Sequence, residues 1–256
     1  MLSLIKVDNM EMEYFKFGNG NKNMIIIPGI SLFNIMNFEN DIKTAYSLFE
    51  KDYTVYVFDR RKNMPSNYSL DDMTNDILLS INYLKLNDIY LFGASQGGMI
   101  AINMGIKNPN LVKKIAICSS IIKASNESNN LFNEILNISD NYLLLDYFCK
   151  KIYTENLYNQ LKNGIKDMAS NITNYDLDRF RICVKAILNL DLSNKINNIK
   201  CPILNIYSKK DQIFNIDDLN NINNFIKVSN HIYDEYGHAV YDEALDIKEI
   251  IYNFYK

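Results

Sequence analysis

Gly93-Ala94-Ser95-Gln96-Gly97-Gly98 stands between an apolar run of strand length, residues 89–92, and an apolar helical stretch, residues 99–106. A serine on so sharp a strand-to-helix turn must take a strained backbone, and the residues two before and two after it crowd each other, so both must be glycine. Gly93 and Gly97 meet that demand in a chain with only 9 glycines among 256 residues, where a chance match is rare. The turn lifts the Ser95 hydroxyl clear of a sheet, and the Gln96 amide, at the start of a helix, points into the same space. One short segment thus requires a strand, a tight elbow and a helix in fixed order, with a nucleophile at the apex.

The rest of the chain supplies the matching scaffold. Residues 24–27, closed by Pro28-Gly29, form a continuous apolar run of the kind buried on both faces of a sheet, and runs of similar length recur at 53–58, 114–118 and 203–207. Amphipathic stretches separate several of them. Met73, Ile77, Ile81 and Leu84 recur every three or four residues behind Asp71-Asp72, which predicts a helix over 70–86. This alternation predicts an α/β fold with a mostly parallel central sheet and helices on both faces. Residues 121–190 break the strand rhythm with aromatic and leucine-rich helical segments, such as 142–148 and 180–188. They read as a helical cap inserted into one core domain made of residues 1–120 and 191–256. The final segment, with Ala244, Ile247, Ile250, Ile251 and Phe254, reads as a closing helix.

A neutral serine needs a base, and the sequence offers two histidines. His231 lies in an alternating, strand-like run at 228–233, whereas His238 follows Gly237 in a loop before the last helix, where catalytic groups gather in open α/β sheets. His238 is therefore the expected base. The acid that orients it is expected between serine and histidine in the chain, and Asp211, just past the strand at 203–207, satisfies that order. Asp217 and Asp218 read instead as the acidic first turn of the next helix, and Asp191 lies on the wrong side of the strand. Two donors are needed for an oxyanion: the Gln96 amide is one, and the Ile30 amide in the loop Pro28-Gly29-Ile30 is the expected second. Asp59-Arg60, at the end of the 53–58 run, reads as a salt-bridged turn. In the cap, Phe132, Tyr142 and Phe148 are expected to shape an apolar substrate pocket.

Composition narrows the partners. A formal charge of -3 and a pI near 5.5 give no positive field for nucleic acid. The four cysteines are widely spaced and form no Cys-x-x-Cys pair, so they read as buried free thiols. Neither a signal-peptide core nor a run of about 18 apolar residues is present, and the expectation is a cytoplasmic protein that uses no membrane.

With these motifs in place, the chain resembles the α/β-hydrolase superfamily, in its capped esterase and C–C hydrolase-like branch. The likeness spans nearly the whole chain and rests on the elbow at Ser95, the strand end Val57-Phe58-Asp59-Arg60, the segment from Asn108-Pro109 to Ser119, Cys201-Pro202-Ile203-Leu204 with Asp211, and Gly237-His238. The resemblance implies a Ser95, Asp211, His238 triad with the amides of Ile30 and Gln96 as oxyanion donors. It also implies hydrolysis of a small to medium apolar ester or thioester without metal or organic cofactor. C–C bond hydrolysis, acyl transfer, or a catalytically silent ligand-binding role would use the same fold. The chain departs from the family where Pro28 replaces the histidine that often opens the first oxyanion loop. The His-Gly-Gly-Pro-Gly loop of proline iminopeptidases is missing, and serine stands where haloalkane dehalogenases carry aspartate.

Overall fold

The computed structural model describes residues 2–226 and 228–256. Eight strands form one sheet: β1 (Ser3–Val7), β2 (Met10–Phe17), β3 (Lys22–Ile27), β4 (Tyr53–Phe58), β5 (Ile89–Ala94), β6 (Val112–Cys118), β7 (Ile203–Ser208) and β8 (Ser229–Tyr233). Their spatial order is β1-β2-β4-β3-β5-β6-β7-β8. β1 and β4 each run antiparallel to β2, and every other neighbouring pair is parallel. The helices are α1 (Glu39–Ala45), α2 (Leu70–Tyr83), α3 (Gln96–Lys107), α4 (Asn126–Asn137), α5 (Asn141–Ile152), α6 (Glu155–Ser170), α7 (Asn174–Lys185), α8 (Ile216–Asn220), α9 (Val240–Glu243) and α10 (Ile247–Tyr255).

The continuous apolar runs are buried on both faces, as their composition predicts. On β3, Ile25 and Ile27 enter the apolar cluster beneath α2 and α3, while Met24 and Ile26 enter the one beneath α1 and α10. Each such fully buried side chain stabilises the fold by roughly 1.5–3 kcal/mol. β2 obeys the same alternation at the sheet's edge: Met10 and Met12 face one cluster, Phe15 and Phe17 the other. α2 begins at a capping box in which the Ser69 hydroxyl accepts from the Asp72 amide and the Asp72 carboxylate accepts from the Ser69 amide. It ends sooner than its periodicity predicts, because Lys85 turns the chain through φ 55°. α10 buries Ile247, Ile251 and Tyr255, one stripe at four-residue spacing.

α4 to α7 occupy the excursion between β6 and β7. Its two ends lie side by side: the Ala124 amide donates to the Leu190 carbonyl at 2.8 Å, the Leu192 amide to the Ile122 carbonyl at 2.8 Å, and Lys123 pairs with Asp191 at 2.9 Å. Ser125, Asp140, Thr154 and Thr173 each cap one of these helices through a side-chain oxygen. The inner faces, with Phe132, Leu144, Ile165 and Phe180, belong to the same apolar cluster as the α2–α3 side of the sheet. All four cysteines are free, and burial pushes the Cys118 thiol up to about 12. No helix among the described residues is long and apolar enough to cross a membrane.

Candidate active site

The elbow has the geometry its glycines demand. Ser95 sits at φ 50° and ψ -122°, between the last residue of β5 and the first of α3, with its amide donating to the Cys118 carbonyl at 2.8 Å. A Cβ on Gly93 would overlap the Gly97 carbonyl, and one on Gly97 would overlap the Ile27 carbonyl, so backbones pass here where no side chain fits.

Two further loops at the ends of parallel strands converge on the serine. His238, on the loop after β8, places Nε2 2.9 Å from Ser95 Oγ and Nδ1 2.8 Å from Asp211 Oδ2. Asp211 follows β7, and its other oxygen, Oδ1, accepts from the amides of Ile213 at 2.8 Å and Phe214 at 3.0 Å. An ionised carboxylate only accepts, so Nδ1 of a neutral imidazole carries the proton and Nε2 is left to accept from the serine hydroxyl. All three side chains are buried, and the Phe214 ring packs against the imidazole at 5.4 Å between centroids. The rivals are occupied elsewhere. His231 meets the Tyr233 ring edge-on within β8, Asp218 accepts from Ser125 Oγ at 2.6 Å in the first turn of α8, Asp217 sits in that same turn, and Asp191 binds Ser193 and Lys123.

The loop Pro28-Gly29-Ile30 lies beside the nucleophile, where a Cβ on Gly29 would stand 3.2 Å from Ser95 Cβ. Among the described residues, neither the Ile30 nor the Gln96 backbone N–H donates to a protein acceptor. Arg60 ties both segments together in a way the sequence reading does not contain. It does not close a salt bridge with Asp59. Its Nη2 donates instead to the Pro28 carbonyl and to Gln96 Oε1, both at 2.9 Å, while Asp59 pairs with Arg179 of α7 at 3.0 Å. Gln96 Nε2 in turn donates to the Cys183 carbonyl of α7 at 2.6 Å. The Asp-Arg pair at a strand end is visible in sequence, but its partners lie 32, 36 and 120 residues away.

The cap also touches the histidine loop. The Ala239 amide donates to the Ile152 carbonyl at 2.8 Å, and the Thr154 amide to Glu243 Oε1 at 3.1 Å. Between the Gly29 loop, α1, α5, α6 and α9 lies a cavity of about 440 Å³, which Gly29 and Ala94, the immediate neighbours of Ser95, line. Its walls are mostly apolar, with Ile26, Phe92, Leu145, Phe148 and Ile165 among them. Of the three cap residues expected to shape it, only Phe148 does so. Tyr142 is 41% exposed on the outside of α5, and Phe132 is buried behind the Phe214 ring, 5.9 Å away. The sequence marks which cap residues are apolar; which helix faces them inward depends on packing among four helices.

The comparisons agree with this architecture. The sequence profile of the alpha/beta hydrolase fold matches residues 22–245. Among solved structures, an enol-lactonase from Burkholderia xenovorans superposes with a TM-score of 0.84 at 16% identity, covering 99% of each chain. An esterase from Exiguobacterium antarcticum gives 0.79 at 20%, again covering 99% of both. A meta-cleavage product hydrolase gives 0.82 at 18%, over 99% of this chain and 97% of its own. No functionally curated protein matches the sequence. At these identities the superpositions speak for the fold alone, while the profile spans most of the chain. The sheet order, the elbow and the profile match together make this chain a member of the α/β-hydrolase fold family.

Proposed function

We propose that the protein is a serine hydrolase that cleaves a carboxylic ester or thioester of a small to medium apolar substrate through an acyl-enzyme. The reading rests on one observation: the hydrogen-bonded series Asp211, His238, Ser95, ending at a serine held in a strained elbow. Ser95 Oγ attacks the carbonyl carbon while its proton passes to His238 Nε2. The developing oxyanion takes the free N–H groups of Ile30 and Gln96. His238 then returns the proton to the leaving alkoxide or thiolate, and the C–O or C–S bond breaks. Water repeats the cycle in reverse roles and releases the acid. Asp211 accepts from Nδ1 throughout and stabilises the imidazolium without taking its proton. Leu145, Phe148 and Ile165 of the cap expected over residues 121–190 supply part of the apolar wall and Ile26 and Phe92 of the sheet another part, and the cavity's volume lies within the roughly 300–1,000 Å³ usual for small-molecule sites.

The test is turnover of p-nitrophenyl acetate, butyrate and octanoate by the wild type and single variants. Ser95→Ala, His238→Ala and Asp211→Asn should each lose about 10⁴-fold in kcat while remaining folded by circular dichroism. His231→Ala should keep most activity. Retained turnover in Ser95→Ala, or loss in His231→Ala with retention in His238→Ala, would overturn the assignment.

A further inference from the structure

Part of the cavity wall is polar, and the mechanism leaves it unused. Tyr46 at the end of α1, Tyr153 at the end of α5, and Tyr241 and Asp242 on α9 all line it. That part lies close to the nucleophile: the Tyr241 hydroxyl is 3.7 Å from the Cβ position of Gly29, which is itself 3.2 Å from Ser95 Cβ. Among the described residues, the three phenol oxygens and the Asp242 carboxylate have no hydrogen-bond partner, although Tyr46 is buried, Tyr153 and Tyr241 are half-buried and Asp242 is exposed, and all four residues line the cavity. Burial first, and then the Asp242 charge, pushes the phenols of Tyr46 and Tyr153 and the neighbouring Tyr241 up, which places all three within electrostatic reach of that carboxylate.

The neighbouring charges do not satisfy Asp242. The Lys248 ammonium donates to the Tyr241 carbonyl at 2.6 Å and lies 5.6 Å from the Tyr46 ring centroid; its charge favours the Asp242 carboxylate without pairing with it and does not outweigh desolvation. Asp41 lines the same cavity, so two acids face one base. An acidic residue in the four-residue α9 gains little from a helix dipole, while desolvation beside a mostly apolar cavity works against its charge.

We propose that Tyr46, Tyr153, Tyr241 and Asp242 form a recognition subsite for a hydrogen-bond donor, a hydroxyl or an ammonium, carried by the substrate away from its scissile carbonyl, with Asp242 as the specificity-determining residue. This rests on the hydrolase reading above and narrows its substrate class to esters with an apolar body and a donor group at one end. The alkyl or ring portion lies along Ile26, Phe92, Leu145, Phe148 and Ile165, and the donor meets the carboxylate. A substrate ending in a carboxylate is repelled.

The experiment compares kcat/KM for four p-nitrophenyl esters of six-carbon acids that differ only at the far carbon: methyl, hydroxymethyl, aminomethyl and carboxylate. The full-length wild type, Asp242→Asn and Asp242→Leu are measured, with fluorophosphonate labelling of Ser95 as the check that each protein is folded. The wild type should favour a donor-bearing ester over the methyl ester by about tenfold or more, and the carboxylate ester should be the poorest. A preference for the amine over the alcohol identifies an ammonium as the natural donor, and the reverse a hydroxyl. Asp242→Leu should invert the order in favour of the methyl ester, chiefly through KM, and Asp242→Asn should lose the amine's advantage while keeping part of the alcohol's. Calorimetric binding of the same esters to Ser95→Ala should follow the wild-type order without any turnover. An order of preference that Asp242→Asn and Asp242→Leu leave unchanged, in proteins still labelled at Ser95, would overturn the subsite. A wild type that neither labels nor turns over any ester would overturn the hydrolase reading, and the subsite with it.

Discussion

Ser95 holds a backbone conformation that costs a non-glycine residue of order 1–3 kcal/mol, and the surrounding backbone is packed closely enough to impose it. Its place at the elbow is legible from six consecutive residues because the elbow's requirements are local. His238 and Asp211 are legible because only two histidines exist and the acid must follow β7. Arg60 and Asp242 are not, since each acquires its meaning from residues far away in sequence. Arg60 is a positioning residue: one guanidinium nitrogen holds the Pro28 carbonyl and the Gln96 side chain, and so fixes both segments that carry the free N–H groups. Arg60→Met should lower kcat by up to about 10²-fold with a smaller change in KM, slow fluorophosphonate labelling in parallel, and be partly restored by Arg60→Lys. An unchanged labelling rate would show that the loop holds itself. Asp242 makes a different prediction. It is exposed where it lines the cavity, yet enough protein crowds it that desolvation pushes its carboxyl up to about 6 from an ordinary value of 3.8. Folding therefore favours the protonated form, and the penalty of the partly desolvated charge sets in as pH rises from about 4 through 6. In thermal melts Asp242→Asn should gain more over the wild type at pH 8 than at pH 5, and the reverse order would contradict this environment.

Elements meet the site at three strand ends, β5, β7 and β8, and each delivers one member of the series. The parallel strands are legible because their apolar runs are continuous, and β4 spans the expected residues. The hairpin β1–β2 is not part of the sequence reading, although Met10, Met12, Phe15 and Phe17 carry its alternation; an edge hairpin has a weaker signal than a run buried on both faces. Close packing at the elbow yields a stability prediction. Gly97→Ala drives a methyl group into the Ile27 carbonyl, and should destabilise the protein by about 1–3 kcal/mol in urea titrations while displacing the loop that follows β3. A variant as stable and active as the wild type would mean that β3 and α3 yield more readily than their contact suggests.

At the scale of the whole molecule, the cap is fastened to the core at several points rather than laid over it. Arg179 pairs with Asp59, Cys183 accepts from Gln96, and Ile152 accepts from the residue after His238. The walls of the cavity and the Asp211, His238, Ser95 series therefore share a frame. Phe148→Ala, which enlarges the cavity, should raise turnover of octanoate relative to acetate, whereas Tyr142→Ala, on the outer surface, should leave that ratio unmoved. A ratio that moves with Tyr142 and not with Phe148 would place the acyl chain elsewhere. The central claim is that Ser95 is activated by His238 and Asp211 to form an acyl-enzyme. The most direct measurement is intact-protein and peptide mass spectrometry after brief exposure to a fluorophosphonate. One adduct per chain, located on Ser95 and lost in Ser95→Ala and His238→Ala while His231→Ala still labels, is the predicted result. A wild type that stays unmodified, or an adduct on any other residue, would contradict it.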